Sequence, residues 1–452
     1  MARFGDNPIS GVADDQLDRR LAVDALGEVI RHPDLETPMT LGIFGEWGSG
    51  KTSVMRMLQA GLAAPHVTVW IDAWRYGRQA EALWRSVLLG IVNELRKGVM
   101  AAGTKDPAVE MALETLEVTL YRSRELSVPG ERRVSWSNAA GLVLQVLVAG
   151  ASGGASLPAY FASLFSSDKP SVKDVLSLVE REEAKVFQAQ IEALEQFHYT
   201  LASVIRDYVI ADRHDRRLVI FIDDLDRCLP EDALAVLEAL KLFIDVPGCV
   251  FVLGMDRRVV ELGLWTRYHR TEQSDLIDAT QYLHKIIQVP FVLPPLSQKQ
   301  IDQLIVQWSD AHGQGALAAI CKPFVLAGVG PNPRQVKRTL NVVHLISALR
   351  PSLARADVVE PTGQEREEYQ RVCKLVILQT SYDKMYAQAI ADPAYLKRLE
   401  AQAVSDGEAP PVELVTYPRV AAMLRLGAHF AVLNDDALAE LLYLTKVTAP
   451  AV

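Results

Sequence analysis

The sequence predicts an α/β fold, in which a mainly parallel five-stranded sheet is followed by an all-helical lid and tail. Five apolar, β-branched runs alternate with helix-forming stretches through residue 296, as in strands that are joined by crossover helices. From residue 297 onward only helical spacing recurs. Because the 452 residues exceed one ordinary domain, we expect the sheet domain to carry helical additions.

The individual elements follow from the periodicity of the apolar residues. Strands are expected at 41–44, 66–74, 218–222, 249–256 and 285–295. Helices are expected at Asp14–Ile30, Ser53–Ala60, Ala80–Lys97, Pro230–Ile244, Gln298–His312, Asn332–Asn341, Glu365–Ile390 and Val420–Val432. Ser171–Ala211 is expected to form one helix or a pair of helices. In the first helix the apolar face is expected to contain Leu17, Leu21, Leu26, Val29 and Ile30.

Composition argues against several classes of protein. The formal net charge of −9 disfavours a broad nucleic-acid-binding face, because phosphate backbones require clustered Lys and Arg. The four cysteines have no C-x-x-C or Cys/His ligand spacing, which indicates reduced thiols in the cytoplasm rather than disulfides or a zinc site. The N-terminus has no basic and then apolar signal segment, so export is not expected.

The first motif is a Gly-rich turn that ends in Lys-Thr and directly follows the first predicted strand. Its glycines permit backbone angles that let successive N–H groups surround a phosphate at the start of a helix. Lys51 is expected to reach the outer phosphates, and the Thr52 hydroxyl is expected to bind Mg²⁺. The predicted binding residues are Gly45, Glu46, Trp47, Gly48, Ser49, Gly50, Lys51, Thr52 and Ser53.

The second motif is an apolar run that ends in acids, Arg217-Leu-Val-Ile-Phe-Ile-Asp-Asp-Leu-Asp-Arg227. A buried parallel strand of this kind delivers carboxylates to a bound Mg²⁺. We assign Asp223 to the metal, through water, and Asp224 to orienting or deprotonating the attacking water. Asp226 is the alternative candidate for either role.

Other charged residues are expected at the carboxyl ends of strands, where ligands bind in open α/β sheets. Asp72 and Arg75 follow the second strand and either approach the nucleotide or form a structural corner. Asp256 stands where a polar group would sense the γ-phosphate. Both readings of Asp72 and Arg75 stay open.

Three arginines are candidates to stabilise the transferred charge. Arg257 and Arg258 follow the fourth strand, and the alternative is that they are exposed at a helix start. Arg334 is expected to reach over the nucleotide from the helical lid, and its alternative is a solvated basic face. The sequence does not decide which arginine acts.

Residues 134–167 contain no charged side chain. A single membrane span here would place Lys51 and the later acids on opposite sides of the bilayer, and the segment is too short for two spans of about 20 residues each. Basic residues flank it on both sides. Two readings stay open: a shallow hairpin giving peripheral contact at the inner membrane face, or an apolar segment packed on the domain or on a second subunit.

Taken together, these motifs resemble one family, the KAP P-loop NTPases. The resemblance rests on Asp6–Ile9, Gly45–Thr52, Asp72–Arg75, Asp223–Cys228, Met255-Asp256, Tyr282–Pro290 and Asn332–Arg338. It implies an ATPase core with an additional strand between the Walker A and Walker B strands, and a helical lid. Many relatives insert membrane helices where 134–167 falls, and this chain departs from that pattern because its apolar segment is short.

The expected organisation is an N-terminal core part at 1–120, an insertion at 121–212, a C-terminal core part at 213–296, a lid at 297–350 and a helical region at 351–452. The expected function is Mg²⁺-dependent ATP hydrolysis, with Lys51, Asp224 and Arg334 as catalytic residues, driving or gating assembly of a homo-oligomer or with a protein partner. ATP is favoured over GTP because no Asn-Lys-x-Asp motif is present. The alternative is a slow-turnover nucleotide-controlled scaffold or switch, and the resemblance adds bacterial antiphage defence.

Overall fold

The computed structural model describes residues 7–9, 11–15, 17–62, 65–76, 83–101, 107–125, 195–211, 213, 215–243, 246–268, 279–349, 361–405 and 412–448. The predicted apolar segment 134–167 lies outside this range, as does the part of the Ser171–Ala211 helix before residue 195. The chain forms two compact units. The sheet unit comprises described residues of 21–47 and 51–293, and the helical unit comprises those of 1–20, 48–50 and 294–452.

The sheet unit is built on a parallel sheet, as predicted. Its strands are β1 (Met39–Phe44), β2 (Val67–Asp72), β3 (Leu218–Asp223), β4 (Cys249–Met255) and β5 (Val289–Val292). They are ordered β2-β3-β4-β1-β5, with every neighbouring pair parallel. Strand β4 therefore lies between β1 and β3, which confirms the predicted additional strand.

One helix of this unit precedes β1, and the others lie in the connections between strands. The helices are α1 (Arg20–Arg31), α2 (Lys51–Gly61), α3 (Ala73–Tyr76), α4 (Leu83–Ala101), α5 (Pro107–Glu125), α6 (Pro230–Phe243), α7 (Arg257–Tyr268) and α8 (Ala279–Ile286). Residues 195–204 are also helical and continue into a π-helix at Ile205–Ile210. Helix α2 packs on β3 and β4, and α4 packs on β2.

Helix α1 begins at Arg20 rather than at Asp14 as predicted. The carboxylate of Asp15 accepts hydrogen bonds from the backbone N–H of Leu17 at 3.0 Å and of Arg20 at 2.9 Å. Asp18 adopts a left-handed backbone angle, with φ of 50°. A side chain that caps local N–H groups competes with helix formation, so the first residues of the predicted helix form a turn.

The buried face of α1 also differs from the prediction. It consists of Val23, Leu26, Gly27 and Ile30, whereas Leu21 is 82% exposed. The helix is held by Arg217 at the start of β3, which donates hydrogen bonds to the carbonyl oxygens of Ile30 at 2.6 Å and His32 at 2.7 Å. Burial lowers the pKa of the Arg217 guanidinium.

Strand β5 is shorter than predicted, because residues 285 and 286 belong to α8. Leu283, Ile286 and Ile287 are all buried, and their i, i+3, i+4 spacing is helical. Pro290 lies within β5 and faces Gly42 of β1. Proline is tolerated there because β5 is an edge strand, whose outer side needs no N–H donor.

The main part of the helical unit follows β5, and the unit contains no strand among its described residues. Its helices are α9 (Gln298–His312), α10 (Gly315–Gly328), α11 (Pro333–Leu349), α12 (Gly363–Ser381), α13 (Asp383–Ala391), α14 (Pro393–Val404), α15 (Val412–Thr416), α16 (Pro418–Leu424) and α17 (Asp435–Lys446). Helix α9 has the predicted bounds. The predicted helix 365–390 is two helices, and the predicted helix 420–432 is interrupted where Gly427 has φ of 58°.

Among the described residues, no helix combines the length and the apolar character that crossing a membrane requires.

Candidate functional site

The Gly-rich turn connects β1 to α2, as predicted. Gly48 has φ of 84° and Gly50 has φ of 100°, a region that side-chain-bearing residues rarely adopt. The N–H of Gly45 donates to the carbonyl oxygen of Met255 at the end of β4, at 3.3 Å. The turn therefore begins at the edge of the sheet where parallel strands present their carboxyl ends.

Lys51, the first residue of α2, is almost completely buried. Its ammonium group donates to the carbonyl oxygens of Gly45 at 2.9 Å and Glu46 at 3.2 Å, and to Oδ2 of Asp226 at 2.8 Å. The Asp226 side chain is itself only 4% exposed. The structure thus brings Asp226, from the turn after β3, into a buried ion pair with the lysine of the loop.

Asp223 ends β3 and is 2% exposed. The Thr52 hydroxyl hydrogen-bonds to its carboxylate, and burial raises the pKa of Asp223 although that hydrogen bond opposes the shift. Its Oδ1 atom is buried and has no hydrogen-bond partner among the described residues. The two residues predicted to hold Mg²⁺ are therefore in contact, and one carboxylate oxygen is available for a ligand.

Gly254 of β4 keeps the space beside this oxygen open. A Cβ atom at Gly254 would lie 2.5 Å from Sδ of Met55 and 2.9 Å from Oδ1 of Asp223. Mg²⁺ is commonly bound by one or two carboxylates together with waters and substrate phosphates. A hydroxyl, a carboxylate with an unsatisfied oxygen and a side-chain-free wall fit such an ion, although no cluster of three or more His, Cys, Asp or Glu suited to a metal occurs among the described residues.

Asp224 follows β3 in a left-handed conformation, with φ of 59° and ψ of 26°. Its Oδ1 atom pairs with Nε of Arg227 at 2.8 Å. Burial, and next the charge of Asp223, raise the pKa of Asp224 to about 6, and the charge of Arg227 opposes the shift. A carboxylate with a pKa close to neutral is suited to accept a proton, and unusual backbone angles cluster at functional sites.

Asp72 ends β2 directly beside Asp223, since the two residues are register partners in the sheet. Its Oδ1 atom is buried and lacks a hydrogen-bond partner among the described residues. Arg75 lies 4.0 Å from Oδ2 of Asp72 and is 79% exposed. The structure thus places Asp72 beside Asp223, whereas the Arg75 side chain is exposed.

Arg56 also lies near these acids, although it was not among the predicted site residues. Its guanidinium carbon lies 3.4 Å from the centroid of the Trp70 ring, and the charges of Asp223 and Asp72 act on it, although burial lowers its pKa. The signal was present: Arg56 is four residues after Thr52 on α2, and Trp70 is two residues before Asp72 on β2. Both spacings put side chains on one face.

The other predicted loop residues differ in exposure. Glu46 and Trp47 are 70% and 57% exposed, Ser53 is half-buried in α2, and the Ser49 Oγ atom is buried without a hydrogen-bond partner among described residues. The Oε1 atom of Glu46 lies 3.6 Å from Nη2 of Arg258.

Asp256, the predicted γ-phosphate sensor, is hydrogen-bonded to Arg258. It accepts from the backbone N–H at 3.0 Å and from Nη2 at 2.8 Å. Burial opposes ionisation of Asp256, but these hydrogen bonds lower its pKa below the usual value. Arg257 instead pairs with Glu261 on α7 at 2.7 Å.

Arg334 lies in the first turn of α11, in the helical unit. Its backbone N–H donates to Oδ1 of Asn332 at 3.0 Å. The residues that the sheet unit brings together are thus Lys51, Thr52, Asp223, Asp224 and Asp226, and the role of Arg334 stays a prediction.

Comparison with known proteins shows similarity to one family, to a phage exclusion protein and to solved structures that include an ATPase. Residues 19–350 match the KAP family P-loop domain. The phage T7 exclusion protein of Escherichia coli (strain K12) is 24% identical over 270 residues, which is 58% of this chain and 30% of that protein. The chain therefore spans less than a third of that relative. A solved Walker-type ATPase of Pyrococcus abyssi aligns with 94% of this chain and 99% of its own, at 13% identity and a TM-score of 0.35.

The family match covers well over half of the chain. It includes the Gly-rich turn, all five strands and the helix that carries Arg334. The chain belongs to the KAP family of P-loop NTPases.

Proposed function

We propose that this chain binds ATP together with Mg²⁺ and hydrolyses it. The observation that carries the proposal is the contact of Thr52 with the buried carboxylate of Asp223, one oxygen of which has no hydrogen-bond partner among the described residues. Lys51 lies buried in the same unit. Membership in a P-loop family supports nucleotide binding, and the positions of Asp223 and Asp224 support hydrolysis.

In this proposal each residue has one task. Lys51 and the loop N–H groups hold the phosphates, and Thr52 and Asp223 hold Mg²⁺, which when bound neutralises charge on the phosphate oxygens. Asp224 orients the attacking water and accepts its proton. The pKa of about 6 leaves Asp224 mostly ionised at neutral pH, which is the form that a general base requires.

Two further parts of the proposal rest on the sequence. ATP is the preferred substrate because the chain has no Asn-Lys-x-Asp motif. Arg334 stabilises the charge of the transferred phosphoryl group from the lid, as arginines do in other phosphoryl-transfer enzymes. Removing such an arginine lowers turnover by a factor of about 10³ or more, so Arg334→Ala is expected to reduce hydrolysis more than binding.

The test is phosphate release by the purified chain with ATP and Mg²⁺, alone and with candidate partners. Lys51→Ala is expected to abolish turnover because the phosphates lose their cation. The matched control is Lys299→Ala, which removes an exposed lysine from the helical unit. Turnover by Lys51→Ala at the wild-type rate would overturn the proposal.

A second candidate function is a slowly hydrolysing switch that controls assembly in phage exclusion. It is supported by the similarity to the phage T7 exclusion protein. The switch requires that the mass measured by size-exclusion chromatography with light scattering differ with and without ATP. An unchanged mass together with fast turnover would count against it, and so would unchanged phage plating on cells that express the chain with its neighbouring genes.

A further inference from the structure

Asp226 accepts one of the hydrogen bonds of the Lys51 ammonium group. A phosphate bound in the loop would need that same N–H donor. A lysine ammonium has three N–H donors, and Lys51 directs them to the carbonyl oxygens of Gly45 and Glu46 and to Oδ2 of Asp226, at 2.9, 3.2 and 2.8 Å. A phosphate oxygen can therefore bind Lys51 with full strength only if one of these acceptors is released.

Asp226 is the acceptor whose release is favoured when phosphate arrives. The two carbonyl groups are neutral and belong to the Gly-rich turn itself. Asp226 carries a negative charge and is 4% exposed, so an approaching phosphate would repel a carboxylate that water hardly screens. The contact that stabilises Lys51 is thus in direct competition with the proposed ligand.

Asp226 belongs to a segment other than the Gly-rich turn. It lies in the short 3₁₀ turn Leu225–Arg227, which follows the left-handed residue Asp224. This turn is separate in sequence from the Gly-rich turn, so a shift of Asp226 leaves the loop N–H groups in place. The turn also holds Arg227, the partner of Asp224, so a shift there would reach the residue proposed to activate water.

We infer that Asp226 is a gate residue, which competes with phosphate for Lys51 and thereby lowers the affinity of the site for nucleoside triphosphate. This inference rests on the proposed function, since it requires that the loop bind nucleotide. Arrival of the phosphate displaces Asp226 from Lys51. Asp226 acts through Lys51 and is a positioning residue.

The experiment is a titration of the full chain with ATP that carries a fluorescent N-methylanthraniloyl group, in EDTA and again with Mg²⁺. Asp226→Asn removes the charge and is expected to bind at least about tenfold more tightly than the wild type in EDTA, which corresponds to about 1.4 kcal/mol. Asp226→Ser is a second neutral variant with the same expectation. Asp226→Glu keeps the charge and is expected to bind no more tightly than the wild type.

The matched control is Glu231→Gln. It removes one exposed carboxylate at the start of α6, a few residues beyond the turn, and is expected to change affinity less than twofold. Tighter binding cannot result from structural damage, because a damaged site binds more weakly. A gain in affinity that is confined to the neutral variants of Asp226 therefore supports the gate.

Equal or weaker binding of the neutral variants overturns the inference, as does an equal gain in Glu231→Gln. If neither neutral variant folds, as judged by circular dichroism, Asp226 is a structural residue and the inference is wrong. Lys51→Ala separates this result from the proposed function. If Lys51→Ala loses binding and Asp226→Asn shows no gain, only the inference about Asp226 is wrong. If Lys51→Ala binds nucleotide as the wild type does, the proposed function is wrong as well.

Discussion

The substitution Gly254→Ala tests whether the open space beside Asp223 matters. The added Cβ atom would lie 2.5 Å from Sδ of Met55 and 2.9 Å from Oδ1 of Asp223. Non-bonded atoms prefer about 3.5 to 4 Å, so the overlap with the sulfur is about 1 Å. Both neighbours are buried and have little room to give way. Overpacking of this kind costs about 1 to 3 kcal/mol, and we expect about 2 kcal/mol here.

Two readouts follow from this estimate. A loss of about 2 kcal/mol lowers Tm by roughly 4 to 8 °C in a domain of this size, which differential scanning fluorimetry measures. Displacement of Oδ1 by a fraction of an ångström is expected to lower Mg²⁺-dependent phosphate release at least about tenfold, because misplacement by about 1 Å can cost 10²-fold. Nucleotide binding in EDTA should change much less than binding with Mg²⁺.

Controls separate packing from metal binding. At Gly363 no heavy atom lies within 4 Å of an added Cβ, so Gly363→Ala is expected to be neutral. Adding Met55→Val to Gly254→Ala relieves the overlap with sulfur but not the overlap with the carboxylate. The double variant should therefore be more stable than the two single effects predict, while its hydrolysis stays low. Hydrolysis by Gly254→Ala at the wild-type rate would show that the open space beside Asp223 is not needed for hydrolysis.

Two further predictions concern stability. Because burial and the charge of Asp223 raise the pKa of Asp224 from 3.8 to about 6, the folded chain keeps a proton that the unfolded chain releases between those values, so stability falls as pH rises through this interval. Asp224→Asn is expected to gain about 1 to 2 kcal/mol at pH 7.5 in EDTA, a gain that should shrink toward pH 4.5 in denaturant titrations; a constant gain contradicts it. In the helical unit, Lys374 donates to Glu400 and to two carbonyl groups, at 2.9 to 3.0 Å, and both side chains are buried. Lys374→Met should cost about 3 to 5 kcal/mol, partly recovered by adding Glu400→Gln; an unchanged unfolding midpoint contradicts this.

Much of the sheet was predictable because its signals are local. Each strand is a short β-branched run, and Asp223 and Asp256 had to reach one edge because parallel strands end there. The Gly-rich turn could be recognised from its glycines and the Lys-Thr that follows them, and Gly48 and Gly50 adopt the positive φ angles that glycine permits. These inferences use only the neighbours of each residue in the sequence.

The remaining features depend on contacts between distant residues. The ion pair of Lys51 with Asp226 joins residues 175 positions apart, and nothing in the spacing of the acids selects Asp226 over Asp224 as the partner. Leu21 was expected on the apolar face of α1, but it lies two residues before the buried Val23 and therefore on the opposite, exposed side of the helix. The open space beside Asp223 depends on Gly254, whose neighbours are known only once β3 and β4 pair.

If the Gly-rich turn binds ATP, Thr52 and Asp223 bind Mg²⁺, and Asp224 is needed only to activate water, then binding and hydrolysis are separable in a variant of Asp224. The most direct test is a calorimetric titration of Asp224→Asn with ATP and Mg²⁺, with phosphate release followed in the same sample. Asp224→Asn is expected to bind ATP without detectable phosphate release. Wild-type phosphate release by Asp224→Asn, or failure of the folded variant to bind ATP, would contradict it.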